Sequence, residues 1–160
     1  MKSVFFLLPL LLLWSCASDD SEPTPAPTTS ELITAKAWRV DNYDVQAFTG
    51  GLPIPAATIA PFLDDILAQA PLNGTITFNN DNTFVVDDQG TVINGTWSLS
   101  SDEKEITLVF TATSETFTFE IVTITATTFT LKFTITESVD LAGNPVPVTL
   151  EIAAFLIPVI

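Results

Sequence analysis

A strict two-residue alternation of apolar and polar side chains between Glu105 and Thr136 constrains this chain more than any other feature. Ile106, Leu108 and Phe110 form one apolar set, Phe117, Phe119 and Ile121 a second, and Phe129, Leu131, Phe133 and Ile135 a third. Successive side chains of a strand point to opposite faces, so this spacing predicts strands with one buried and one wet face. Threonine fills 12 of those 32 positions, and a polar, β-branched side chain suits the outer face of a sheet better than a helix. The same period starts at Trp38 and resumes to the C-terminus. Turn-forming residues at 79–82, 87–90, 100–104, 113–114, 126–127 and 141–144 divide it. Connections this short join antiparallel neighbours, because a parallel crossover needs about a dozen residues or more. Segments beginning near Lys36, Gly74, Thr83, Thr91, Glu105, Glu115, Thr128 and Pro145 are therefore read as eight strands. An open meander leaves two unpaired edges, so the apolar last run, 146–157, is expected to pair with the Trp38 strand. The fold class is all-β: an eight-stranded antiparallel up-and-down barrel.

One segment departs from the period. Ile59, Phe62, Leu63, Ile66, Leu67 and Ala70 recur at spacings of three and four, which predicts an amphipathic helix over 56–70 joining the first two strands. Thr58 is the expected N-cap, Pro61 fits a first turn and Pro71 ends the helix. Counting strand directions places Trp38, Phe78, Phe84, Trp97, Leu99, Ile121 and Phe129 at one end of the barrel. Tyr43, Ile76, Val86, Ile93, Phe110, Phe117, Ile135 and Val146 gather at the other. The helix leaves and returns at this second end, with Phe62, Leu63, Ile66 and Leu67 turned to its mouth. Two readings stay open: a lid over an apolar pocket lined by these side chains, or a plug, since eight strands leave room for side chains or one small ligand. Gly50 and Gly51 either let the helix lift or simply turn the chain.

Composition narrows the chemistry. The chain has no histidine, which excludes an imidazole general base, Ser-His-Asp and Cys-His nucleophiles and histidine metal sites. The carboxylates of Asp64-Asp65, Asp87-Asp88 and Asp102-Glu103 are sequence neighbours that diverge, and no pair faces another across a cleft. The spaced loop of a calcium site is absent. The reading is a protein without catalysis, cofactor or metal. Five basic against 19 acidic residues give a net charge of −14, which weighs against nucleic acid and anionic lipid as partners. Asn73-Gly74-Thr75 and Asn94-Gly95-Thr96 read as turn and bulge residues.

Lys2 followed by the apolar run 4–14 has the layout of an export signal too short to span a membrane. Leu13-Trp14-Ser15-Cys16 resembles a bacterial lipobox, which implies a signal peptide over 1–15 and lipid on Cys16 that binds the protein to a membrane. Residues 16–31 read as an acidic, Pro- and Thr-rich tether, and 32–160 as the domain. The acidic start resembles the signal that sends Bacteroidota lipoproteins to the outer face of the outer membrane, the periplasmic leaflet being the other destination. Within the domain, Leu32 to Trp38, Thr77 to Phe84, and Asn94 to Leu99 with the turn Ser101 to Lys104 carry a second likeness. There the chain resembles the lipocalin-like domains of Bacteroidota lipoproteins, barrels of calycin type. That resemblance implies the fold and a possible small apolar ligand. The alternative is an interaction scaffold with a filled barrel and no ligand. The sequence identifies no protein partner.

Overall fold

In the computed structural model the described residues are 25–68, 72–141 and 143–160. The expected signal segment, Cys16 and the start of the tether lie outside them, as do the expected helix end at Ala70 and Pro71. The elements in order are α1 (Thr29–Thr34), β1 (Ala37–Thr49), β2 (Leu52–Ile54), α2 (Ala56–Ala68), β3 (Thr75–Phe78), β4 (Thr83–Asp88), β5 (Thr91–Leu99), β6 (Glu105–Phe110), β7 (Thr116–Ile124), β8 (Phe129–Leu141) and β9 (Asn144–Pro158). Eight of the nine strands form a closed antiparallel barrel in the order β1-β3-β4-β5-β6-β7-β8-β9, with β9 returning to β1. The extra strand, β2, folds back on the end of β1 through Gly50 and Gly51, whose positive φ values of 55° and 79° make a tight two-residue turn. Three residues are too few for an alternation to register.

Closure runs from Trp38 opposite Pro158 to Phe48 opposite Thr149. A bulge between Val40 and Asn42 shifts the parity of β1. Trp38 and Val40 face inward before it; Tyr43, Val45 and Ala47 do so after it, opposite the buried Ala154, Ile152 and Leu150.

The end where Trp38 sits is sealed by aromatic rings. Phe78 contacts Phe84, Trp97 and Phe129 at centroid distances of 6.3, 5.8 and 6.4 Å, and Trp38 meets Phe129 edge-on at 5.4 Å. The indole N–H of Trp97 donates to the Asn79 carbonyl at 3.1 Å, and that of Trp38 to the Ile33 carbonyl at 2.9 Å. The second bond docks α1, a helix that falls across the expected boundary between tether and domain, where none is expected. Its start is a capping box: the Glu31 amide donates to Thr28 Oγ1, and the Glu31 carboxylate accepts from the Thr28 amide at 2.7 Å. That hydrogen-bonding holds the Glu31 carboxyl below its ordinary pKa. Six residues with one buried side chain, Ile33, make no helical period.

Two further expectations need correction. Thr58 is not an N-cap: α2 begins at Ala56, directly after Pro55, and Thr58 lies in the first turn with its amide donating to the Pro55 carbonyl. Asn94-Gly95-Thr96 is neither turn nor bulge but the middle of β5. Gly95 is required there because the Phe84 ring and the Val109 carbonyl fill its side-chain space, 2.4 and 2.3 Å from where a Cβ would stand.

These contacts predict that Trp97→Ala destabilises the domain by about 3–5 kcal/mol, as large core truncations do, measured by denaturant unfolding. A loss below about 1 kcal/mol, the scale of a surface substitution, would contradict the packing.

Candidate functional site

The end of the barrel opposite the aromatic seal is built differently, because its strands part. Among the described residues, β1 pairs with β3 only over Ala37 to Arg39. On the far side β7 pairs with β8 only from Glu120–Lys132 to Ile124–Phe129, while β8 and β9 continue together to Leu141–Asn144. Two seams therefore open toward one end, between a sheet of shorter strands, β3 to β7, and a longer one, β8-β9-β1-β2. The chain between β2 and β3 crosses at this end as α2.

α2 turns one face inward. Ile59 is only 2% exposed, and Phe62, Leu63, Ile66 and Leu67 are partly buried against the core, whereas Asp64 and Asp65 face water. Pro61 lies inside the helix rather than in its first turn. Having no N–H, it cannot donate to the carbonyl four residues earlier. The far end of α2 is held by Asn73, whose amide donates to the Leu67 carbonyl at 3.0 Å and whose Oδ1 lies 3.5 Å from the Tyr43 hydroxyl. Burial pushes the Tyr43 hydroxyl above its ordinary pKa.

The other expected lining residues fall into two groups. On the shorter sheet, Ile76, Val86 and Ile93 stand side by side across β3, β4 and β5, and the Phe110 and Phe117 rings meet edge-on at 5.6 Å. On the longer sheet, Tyr43 is opposite Ala154, Ile135 opposite Leu150, and Val146 opposite Val139 at the tip of the β8–β9 hairpin. Ile76, Val86 and Phe110 are buried; Tyr43, Ile93, Phe117, Ile135 and Val146 keep some exposure. Sequence reasoning missed Val45, Ala47 and Ile54 on the β1–β2 hairpin. The bulge hides the first two from a simple count of alternate residues, although Tyr43, Val45 and Ala47 do carry the period.

Several turn carboxylates bond the chain beside them. Asp81 accepts from the hydroxyl and amide of Thr83, and Asp102 from the Ser100 hydroxyl and the Lys104 amide; these bonds hold both carboxyls below their ordinary pKa. Among the described residues no three carboxylates converge as metal ligands would.

A family model described as "Lipocalin-like domain" matches residues 36–131, from the start of β1 into β8. No curated protein matches the chain.

The interior proline makes α2 testable. Pro61→Ala restores a backbone donor and is expected to stabilise the helix by roughly 1–3 kcal/mol, read as slower amide exchange across 56–68. Faster exchange there would mean that the proline is part of how α2 seats.

Proposed function

The chain belongs to the lipocalin-like domain family, and from that footing we propose that it is a binding barrel for a small apolar molecule, seated at the α2 end and carried on a lipid-anchored chain. One observation carries the reading: the strands part at the α2 end, and beside the buried Ile76, Val86 and Leu150 a cluster of apolar side chains there stays partly wet. At the sealed end Trp38, Phe84, Ile106 and Phe129 are wholly withdrawn from water. At the α2 end, where the strands part, Phe62, Leu63, Ile66, Leu67, Phe117 and Ile135 remain partly wet. A guest that covers this surface gains about 25 cal/mol for each Å² of apolar area withdrawn from water.

The anchor rests on the sequence. The charged start, the short apolar run and the cysteine at its end support lipid on Cys16, and two acyl chains suffice for stable attachment. The acidic residues that follow Cys16 favour the outer face of the outer membrane. A second reading, a filled barrel used as an interaction scaffold, is favoured by the ring contacts that run Trp38–Phe129–Phe78–Phe84–Phe110–Phe117 along the interior.

Two measurements test these readings. A Cys16→Ala chain should be released from membranes by a high-salt wash; retention would remove the anchor. The same chain, purified from its natural host, should carry an apolar molecule in native mass spectrometry and rise in thermal midpoint with a member of a fatty-acid and sterol panel. Ile66→Asp should abolish that response. No adduct and no shift, with slow amide exchange in α2, leaves the scaffold.

A further inference from the structure

The seam between β7 and β8 leaves a strand edge without a partner. Toward the α2 end, pairing of β7 with β8 stops at Glu120–Lys132. β8 continues from Phe133 to Leu141 paired on its β9 side alone, among the described residues. An antiparallel strand offers N–H and C=O groups to both sides, so this stretch turns a row of them away from β9 with no strand to receive them. The usual devices that blunt such an edge are missing along its backbone. Its register with β9 is unbroken from Phe129–Leu156 to Leu141–Asn144, and it contains neither proline nor glycine.

The charges beside this edge have one sign in excess. Where the seam begins, a groove of about 380 Å³ on the outer face has Glu105, Glu120, Lys132 and Glu151 in its walls. Glu105 and Glu120 stand directly opposite each other in the β6–β7 ladder, a like-charge pairing that costs stability. Lys132 is the one basic residue on β6, β7, β8 and β9, and it is drawn to Glu151 at 3.1 Å. Farther along, Glu137 interrupts the inward row of β8, between Ile135 and Val139 and opposite the wholly buried Val148. Glu137 also sets a second copy of this chain at a disadvantage. Two copies paired antiparallel along 133–141 would be centred on residue 137, carboxylate against carboxylate.

We propose that the free edge of β8 is a docking site for an extended basic peptide segment of another protein, which adds to the sheet as an antiparallel strand. Main-chain hydrogen bonds supply the attachment, and the side chains select the partner. Alternate residues of the added strand face inward. There they meet Ile135, Val139 and Leu141, which accept apolar groups, and Glu137, which accepts lysine or arginine. A further base at the groove relieves the opposition of Glu105 and Glu120. Ile135 also lines the α2 end, but the docking surface is the main chain of β8 and stands whether or not a guest lies beneath α2.

The test uses the full Cys16→Ala chain and fluorescence anisotropy with the labelled peptide Lys-Thr-Val-Thr-Lys-Thr-Val-Thr-Lys. In antiparallel register its central lysine meets Glu137 and its valines meet Ile135 and Val139. A peptide with glutamate in place of lysine is the charge control, and two peptides N-methylated along one edge or the other are the main-chain controls. The lysine peptide should bind saturably and slow amide exchange across 133–141. The glutamate peptide, and at least one N-methylated peptide, should bind about ten-fold more weakly or worse, on the scale of lost hydrogen bonds. Glu137→Lys should weaken the lysine peptide about ten-fold with the thermal midpoint kept, whereas Asp44→Lys, the same charge change on β1, should leave binding intact. No saturable binding, equal binding of the glutamate peptide, no loss with either N-methylated peptide, or unchanged exchange across 133–141 would overturn the proposal and leave Glu137 as a guard against pairing. Self-association of the chain that protects 133–141 would overturn it in favour of a second copy.

Discussion

The structure depends on the pairing of β1 with β9. A single ladder from Trp38–Pro158 to Phe48–Thr149 converts a meander with two open edges into a barrel. It also buries the inward row Val148, Leu150, Ile152, Ala154 and Leu156 completely. β1 could not do this as a regular strand. It must lie against β3 at the sealed end and lean toward β9 beyond it, and the bulge after Val40 supplies the bend while keeping apolar side chains inward on both sides of the irregularity. The seam between β1 and β3 follows from β1 leaving one neighbour while staying with the other, whereas the seam between β7 and β8 has its own irregularity, a register shift between Ile121 and Thr123.

The two ends then obey different physics. At the sealed end ring contacts dominate, the two indoles are hydrogen-bonded, and among the described residues no buried side-chain polar atom lacks a partner. At the α2 end, the helix has an interior proline, is tied through Asn73 to Leu67 and Tyr43, and covers strands that have already separated. Ring packing therefore closes one end of the barrel, and a single helix with few direct ties covers the other.

Most of the barrel was legible in the residues. The alternation in 105–136 and the short turns between apolar runs specify antiparallel neighbours, and the untapered last run implies closure. What was illegible was local. α1 has a readable capping box, Thr28 with Glu31, but a six-residue helix shows no period, so the box stood without the pattern that gives it meaning. β2 has three residues. Gly95 looked like a bulge because a glycine inside a strand usually marks one; its true cause, the Phe84 ring above it, is a tertiary contact that no local pattern announces. For the site, the four inward residues of α2 follow from helical spacing. The seams do not, because where two strands stop pairing is set by irregularities, in β1 after Val40 and in β7 after Ile121, that no residue's own preference announces.

α1 has one more consequence. Because Ile33 and Trp38 lock it under the sealed end, the chain joins the barrel at its base. Whatever holds the N-terminus grips the molecule as a stem grips a cup, and the rim bearing α2 is presented on the far side. On the proposed reading, a guest enters at that rim, on the side of the barrel opposite the one at which α1 is docked.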